Sequence, residues 1–502
     1  MGAAGGCRGN QESNVDVSGR NKNIGGLAAR RRRKTWIAGA TVLAVVLGGG
    51  IGALLALRPW TDEFRHGGLT ISAPPAAVES SPQVGPARSN APAPSPAGVA
   101  AALALVVGNP DLGAFAGQVT DAASATVLWS GDANTPMIPS STAKILTTAA
   151  ALLALPADHR VTTAVVTGSA PNELVLVGGG DPTLTAQPDG KGYYPNGPRL
   201  SDLVAQIRSA GRPVDTIVVD TSAYEGPTMA QGWDPVDIGE GSIAPMESVM
   251  IDGGRLQPLV EYSPRTGTPA LDAGRRLAGD LGIDPARVRV GTAPPGAAEV
   301  ASVRSAPLRD RLRDTMVHSD NVLAEAIGRE IALATGGEAS FSGAVDATSA
   351  ALNKAGFDLT GLVMHDSSGL SVDDRTPARL LDRIIATAAE PNGATAVQPV
   401  GTKAKPQRDH LATTLAPMLD YLPVAGGTGS LTSRYVTQNR NGAGWVRAKT
   451  GTLSVSSALV GYVLDADGRV LTFALMSNDR PPEASRPALD AIAGTLRNCG
   501  CS

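Results

Sequence analysis

The amino-acid sequence predicts an α+β protein: an antiparallel sheet with a helical cluster, interrupted by an inserted α/β domain. Three observations predict it. First, GAFAGQVTDAASATVLWSGD (Gly113 to Asp132) reads as two short strands, and SALVGYVLDADGRVLTFALMS (Ser457 to Ser477) reads as two more around a DADG turn. Second, amphipathic helical runs lie between these ends and after them, as in VLAEAIGREIALATGG. Third, the middle of the chain alternates strand and helix patterns, as a separate α/β unit does.

In chain order, the first feature is Trp36 to Leu57, 22 uncharged and mostly apolar positions. As a helix at about 1.5 Å per residue they would span roughly 33 Å, one hydrocarbon core. Arg30, Arg31, Arg32, Arg33 and Lys34 stand directly before them. The positive-inside rule then leaves residues 1–34 as a cytoplasmic tail, 35–58 as the anchor, and the rest outside the membrane. A cleavable signal peptide is the rival reading, but the apolar run is long for one and Leu54 before Ala56 is a poor cleavage site. Residues 59–98 are rich in Pro, Ala and Ser without apolar period, and read as a tether.

The body follows. ANTPMIPSS is a loop, and PSSTAKILTTAAALLAL from Pro139 is a helix with Ser141 near its first turn. ELVLVGGGDPTL is a strand ending in a glycine turn. RLSDLVAQIRSAG and LDAGRRLAGDLG are helices, and VDTIVVDTSAY and RVRVG are strands. These place an inserted domain at 166–306, within a domain made of 99–165 and 307–498. GWVRAK is a short strand running into TGTLS, and a helix of about Pro487 to Arg497 closes the chain.

Composition narrows the chemistry. The net charge is −3, so nothing points to nucleic acid. Cys7, Cys499 and Cys501 form no metal-ligand spacing with the five histidines, which read as structural or solvated. A bridge between Cys499 and Cys501, one residue apart, is conceivable but strained. GGGDP lacks the helix of a dinucleotide fingerprint, and GGTGSLTSR lacks the lysine of a phosphate loop, so both read as turns.

The chain has eight lysines against 35 arginines, so a lysine inside an apolar helix is unusual. Ser141 and Lys144 stand at i and i+3, on one helix face, where hydroxyl and amine can meet. A serine hydroxyl needs a base, and a lysine serves if burial and nearby cations lower its pKa. Ser319 and Asn321 flank Asp320 in HSDN, just before an amphipathic helix. Lys449, Thr450, Gly451 and Thr452 end a strand, supplying a cation, hydroxyls and a close-approach glycine for a carboxylate lying along a sheet edge. S-x-x-K alone is near chance and S-x-N alone nearly uninformative, whereas K-T-G, in a chain with eight lysines, is not readily accidental. The ordered set S-x-x-K, S-D-N, K-T-G is the one found in penicillin-binding proteins and class A β-lactamases.

On these motifs, with GGGDPTL, HDSSGLSVDDRTPARLL and LPVAGGTGSLTSRY, the sequence resembles the DacB-type D-alanyl-D-alanine carboxypeptidase/endopeptidase family, the low-molecular-mass penicillin-binding serine D,D-peptidases. The long separation between Ser141 and Ser319 fits the inserted region of that family. The resemblance covers nearly all of 99–498. It implies a penicillin-binding/β-lactamase-like fold. It also implies that Ser141 is the nucleophile, Lys144 its base, and Ser319 and Asn321 the proton relay and amide clamp. Lys449 and Thr450 would bind the terminal carboxylate, and the Ser141 and Thr452 N–H groups would form the oxyanion hole. The implied partners are peptidoglycan stem peptides as substrate and β-lactams as covalent inhibitors, with no metal or organic cofactor. A β-lactamase and a non-catalytic wall-binding scaffold are the alternatives. Slow covalent penicillin binding marks the peptidase, rapid turnover the lactamase, and no labelling the scaffold.

Overall fold

The computed structural model describes residues 40–56 (except 42, 45 and 54), 90–391 and 406–501. The chain divides into two compact units, Met1–Gln83 and Val84–Ser502. In the first, the described residues between 40 and 56 are helical; among the described residues, no helix is long and apolar enough to cross a membrane. The remainder of the expected anchor, the tail 1–34 and most of the expected tether lie outside the described residues.

The second unit opens with helix α1 (Pro96–Val107), capped by the Ser95 hydroxyl, which accepts from the Gly98 N–H. Strands β1 (Ala114–Asp121) and β2 (Thr126–Gly131) and helix α2 (Lys144–Ala154) follow. Next come β3 (Thr162–Thr167), β4 (Glu173–Val177), α3 (Leu200–Ser209), β5 (Thr216–Asp220), α4 (Pro269–Leu281), β6 (Val288–Val290) and β7 (Glu299–Arg304). Helices α5 (Leu308–His318), α6 (Asn321–Ala334), α7 (Phe341–Lys354) and α8 (Ala378–Ala388) form the cluster. Strands β8 (Val446–Leu453), β9 (Ser456–Leu464) and β10 (Val470–Asn478) and helix α9 (Pro482–Arg497) complete it.

The first sheet runs β8-β9-β10-β1-β2, every neighbouring pair antiparallel. It joins the two ends of the chain, as the alternating patterns predict. Side chains alternate across the pleat, so β10 serves two cores. Ala474 and Met476 face the helical cluster with Ile145, Leu323 and Ile385, while Phe473 and Leu475 pack with Val99, Leu103, Leu489 and Ile492.

The second sheet runs β6-β5-β4-β3-β7 and is built wholly from residues 162–304. Its β4–β5 and β5–β6 pairs are parallel, with Leu203, Ile207, Leu277 and Ala278 among the side chains of its own core. Strand β3 straddles the boundary expected at 165/166. At the other limit, α1 begins inside the stretch read as tether to residue 98, and buries Val99 and Leu103 completely. Its first turn is tied to the end of the chain, where the Ser95 N–H donates to the Cys501 carbonyl at 2.8 Å. Cys499 and Cys501 are bonded to each other.

A buried ion pair ties helix α5 to helix α6. Arg311 of α5 forms a bidentate pair with Glu330 of α6 and donates to the Ala306 carbonyl at 3.0 Å. Both side chains are almost fully buried. Glu330→Ala strands the guanidinium, and such a loss costs about 3–5 kcal/mol. A clear drop in the urea midpoint is expected; an unchanged midpoint would contradict this account of the pair.

Candidate active site

The turn that carries Ser141 precedes α2. Residues Ser140–Ala143 form a 3₁₀ turn, and Ser140 carries a positive φ of 48°. That conformation is uncommon for a residue with a side chain, and the surroundings hold it. The Ser140 hydroxyl meets the Ser456 hydroxyl at 2.5 Å, and the Thr142 hydroxyl donates to the Pro139 carbonyl at 2.6 Å. Gly451 lets β8 approach this turn. A Cβ there would lie 2.6 Å from the Pro139 oxygen and 2.9 Å from Ser140 Cβ. The sequence suggests this glycine makes room for substrate; in the structure it makes room for the turn that carries Ser141.

Ser141 Oγ accepts a hydrogen bond from Lys144 Nζ at 3.1 Å. The same ammonium donates to Asn321 Oδ1 at 2.6 Å and to the Ser368 carbonyl at 2.8 Å. Burial pushes the fully buried Lys144 down to about 8, against the raising pull of Asp366, Glu325 and Asp320. Lys449 Nζ donates to Ser319 Oγ and to the Thr450 carbonyl, each at 2.8 Å. Burial first, and Lys144 second, push Lys449 well below its ordinary value. The cation expected to meet a carboxylate therefore stands behind Ser319, fully buried. The adjoining cleft wall presents hydroxyls: Thr450, which donates to Ser430 at 2.7 Å, and Thr452, which accepts from Arg486 Nε at 3.3 Å.

The S-D-N turn is clamped by the inserted region. Ser319 adopts a positive φ of 58°, between α5 and α6. Asp320 caps α6 by accepting from the Leu323 N–H at 2.8 Å. Its other oxygen accepts from Arg255 at 2.9 Å and Tyr194 at 2.8 Å. Burial alone would raise the Asp320 carboxyl, but Arg255 and Arg265 outweigh it and hold it well below the usual range. Arg255 also lies 3.7 Å above the Tyr193 ring. Asn321 Nδ2 donates to the Ser242 carbonyl at 3.0 Å, which fixes the amide so that Oδ1 faces Lys144.

These groups surround a cleft of about 440 Å³. Ser141, Ser319, Asn321, Thr450 and Thr452 line it, with Lys144 and Lys449 buried behind them and Gly451 packed against the Ser140–Ala143 turn. All eight residues singled out in the sequence thus come to one place. His318 joins the wall, stacked edge-on against Tyr193. Ser430 and Arg434 come from GGTGSLTSR, which reads only as a turn; the hydroxyl of Ser430 was visible in sequence, but nothing local brings it to Thr450. Tyr193 and Arg255 carried no motif at all. Among the described residues, no group of three or more His, Cys, Asp or Glu side chains could hold a metal ion.

An antiparallel sheet beside a helical cluster, with a serine, two buried lysines and an Asn at their junction, defines a penicillin-binding-type serine peptidase fold. The model of the D-Ala-D-Ala carboxypeptidase 3 (S13) family matches residues 99–270, 260–400 and 406–499. Carboxypeptidase DacB of Mycolicibacterium smegmatis is 46% identical over 478 residues, 94% of this chain and 99% of that protein. Carboxypeptidase Rv3627c of Mycobacterium tuberculosis is 47% identical over 479 residues, with the same coverage. The crystal structure of penicillin-binding protein 4 (dacB) from Haemophilus influenzae shares the fold, with a TM-score of 0.62 at 19% identity, over 78% of this chain and 97% of that one. The chain belongs to the D-Ala-D-Ala carboxypeptidase 3 (S13) family, and is an enzyme of the serine-type D-Ala-D-Ala carboxypeptidase class.

Proposed function

We propose that this enzyme trims peptidoglycan stem peptides through a Ser141 acyl-enzyme, binds penicillin covalently at the same serine, and is held outside the cytoplasmic membrane by its N-terminal apolar segment. The observation that carries the reading is the Lys144 ammonium set between Ser141 Oγ and Asn321 Oδ1. In its neutral form Lys144 takes the Ser141 proton as Oγ attacks the carbonyl between two D-alanines. The Oγ–C bond forms, the tetrahedral oxyanion rests on the Ser141 and Thr452 N–H groups, and the C–N bond then breaks. The leaving amine of D-alanine receives a proton through the Lys144, Ser319 and Asn321 group. Thr450, Thr452 and Ser430 hydroxyls receive the terminal carboxylate, with Lys449 behind them. Water then attacks the ester and frees Ser141.

The buried Lys144, lowered to about 8, sets a pH dependence. Its protonated form cannot accept a proton, so acylation falls as pH drops below about 8 and rises towards a plateau above it. A rate of penicillin acylation that stayed flat from about pH 6 to about pH 9 would contradict the assignment.

The direct test incubates the full chain with a pentapeptide ending in D-Ala-D-Ala and with cross-linked muropeptides. D-alanine release supports the carboxypeptidase, and cleavage of cross-links adds the endopeptidase. A folded chain that cleaves neither overturns the reading, and rapid penicillin turnover would favour a β-lactamase. The block Arg30 to Lys34 before Trp36 to Leu57 supports the anchor and its orientation. A body protected from added protease in cells with permeabilised outer layers would overturn that part.

A further inference from the structure

Lys144 has three hydrogen-bond partners, and the third lies outside the S-x-x-K, S-D-N and K-T-G motifs. It is the Ser368 carbonyl, 2.8 Å from Nζ, in the HDSSGLS stretch that carries part of the family resemblance without an assigned role in the site. The Ser368 turn is stitched down on several sides. One Asp366 oxygen accepts from the N–H groups of Ser368 at 3.1 Å and Gly369 at 2.6 Å. The other accepts from the Ser371 N–H and the Trp233 indole, each at 2.7 Å. Ser367 is gripped at both its backbone groups. Its N–H donates to Glu325 Oε1 at 3.0 Å, and its carbonyl accepts from the Thr147 hydroxyl at 2.6 Å.

The spacing is economical. Glu325 stands four residues after Asn321 on α6, so one helix face presents an amide to Lys144 and a carboxyl to the turn behind it. Thr147 stands three residues after Lys144 on α2, and does the same from the other side. Two glycines permit the approach: a Cβ on Gly328 would lie 2.0 Å from Ser367 Oγ, and one on Gly369 would lie 2.0 Å from the Ser140 carbonyl. Glu325, Asp366, Ser367 and Ser368 are all fully buried.

We propose that Glu325 and Asp366 are positioning residues of this active site: two buried carboxyls that shape the Ser367–Gly369 turn so that the Ser368 carbonyl, with Asn321, fixes Lys144 beside Ser141. This rests on the reading of Lys144 as the base. The carboxyls also set the field at the ammonium. Asp366, Glu325 and Asp320 face Lys144 and favour its charged form against its burial, and Lys144 in turn lowers Lys449. Glu325 itself is faced by Asp366 and Arg329; burial, then Asp366, push it up to about 7. Asp374, which accepts from the His365 N–H, is pushed up to about 10 by burial and Asp366, and so stays protonated.

The test is the acylation rate of the full chain with a fluorescent penicillin from about pH 6 to about pH 10. E325Q keeps an acceptor for the Ser367 N–H and removes the charge. Its plateau should stay close to wild type, while the acid limb moves to lower pH by about 1 unit. E325A removes both, and its plateau should fall roughly 10–100-fold. If E325A does not fold, the E325Q profile alone decides. An E325Q profile superimposed on wild type overturns the proposal, provided K144R is inactive. If K144R instead acylates like wild type, the reading of Lys144 as base fails, a separate result.

Discussion

Ser141→Ala will carry no penicillin label and release no D-alanine, while unfolding at the same temperature as wild type. Removing the nucleophile of a serine peptidase lowers turnover by roughly 10⁶-fold, since a covalent route has no substitute atom. The fold should not notice the change. The Ser140–Ala143 turn is held by the Ser140–Ser456 and Thr142–Pro139 bonds and by the fit of Gly451, none of which uses the Ser141 hydroxyl. Gel fluorescence after incubation with a labelled penicillin, beside a melting curve, checks both halves. A labelled and stable Ser141→Ala protein would move the chemistry to another residue.

Lys144→Arg will fold and fail at acylation by about 10²–10⁴-fold, the usual worth of a general base. The guanidinium keeps the charge and its donors, but it does not give up a proton near neutral pH. Lys144 is suited to the role because burial brings it to about 8, within reach of its neutral form. A bulkier planar group must also fit a fully buried position between Asn321, Ser368 and Ser141. Stopped-flow acylation with a chromogenic β-lactam reads the loss directly. Near-normal rates in Lys144→Arg would leave the lysine an electrostatic partner only, and some other group as base.

The three motifs stood out in sequence because the chemistry proposed for them restricts residue type: a nucleophile, a base and a hydroxyl-amide pair have few substitutes. The terminal strands were legible through their alternation, since each face of β10 meets a different core. Helix α1 was not. Its proline start and its Ala-rich run continue the composition of the stretch before it, and only the docking of Val99 and Leu103 against α9 and the sheet makes it a helix of the core. The second layer of the site was also hidden. Arg255 and Asp320 are far apart in the chain, as are Glu325 and Ser367. Charged residues read as solvated until a fold buries them together. Lys449 shows the same limit from within a motif. Its position was clear in sequence, but its complete burial and its bond to Ser319 were set by the packing of β8 against the S-D-N turn.

The central claim is that one serine forms the acyl-enzyme, and the most direct measurement is the mass of the intact chain after brief exposure to penicillin, followed by peptide mapping of the adduct. The expected result is a single penicilloyl group per molecule, on the peptide containing Ser141, with D-alanine release blocked in proportion to the adduct. An adduct on any other residue, or full D-alanine release from a chain carrying the Ser141 adduct, would contradict the account.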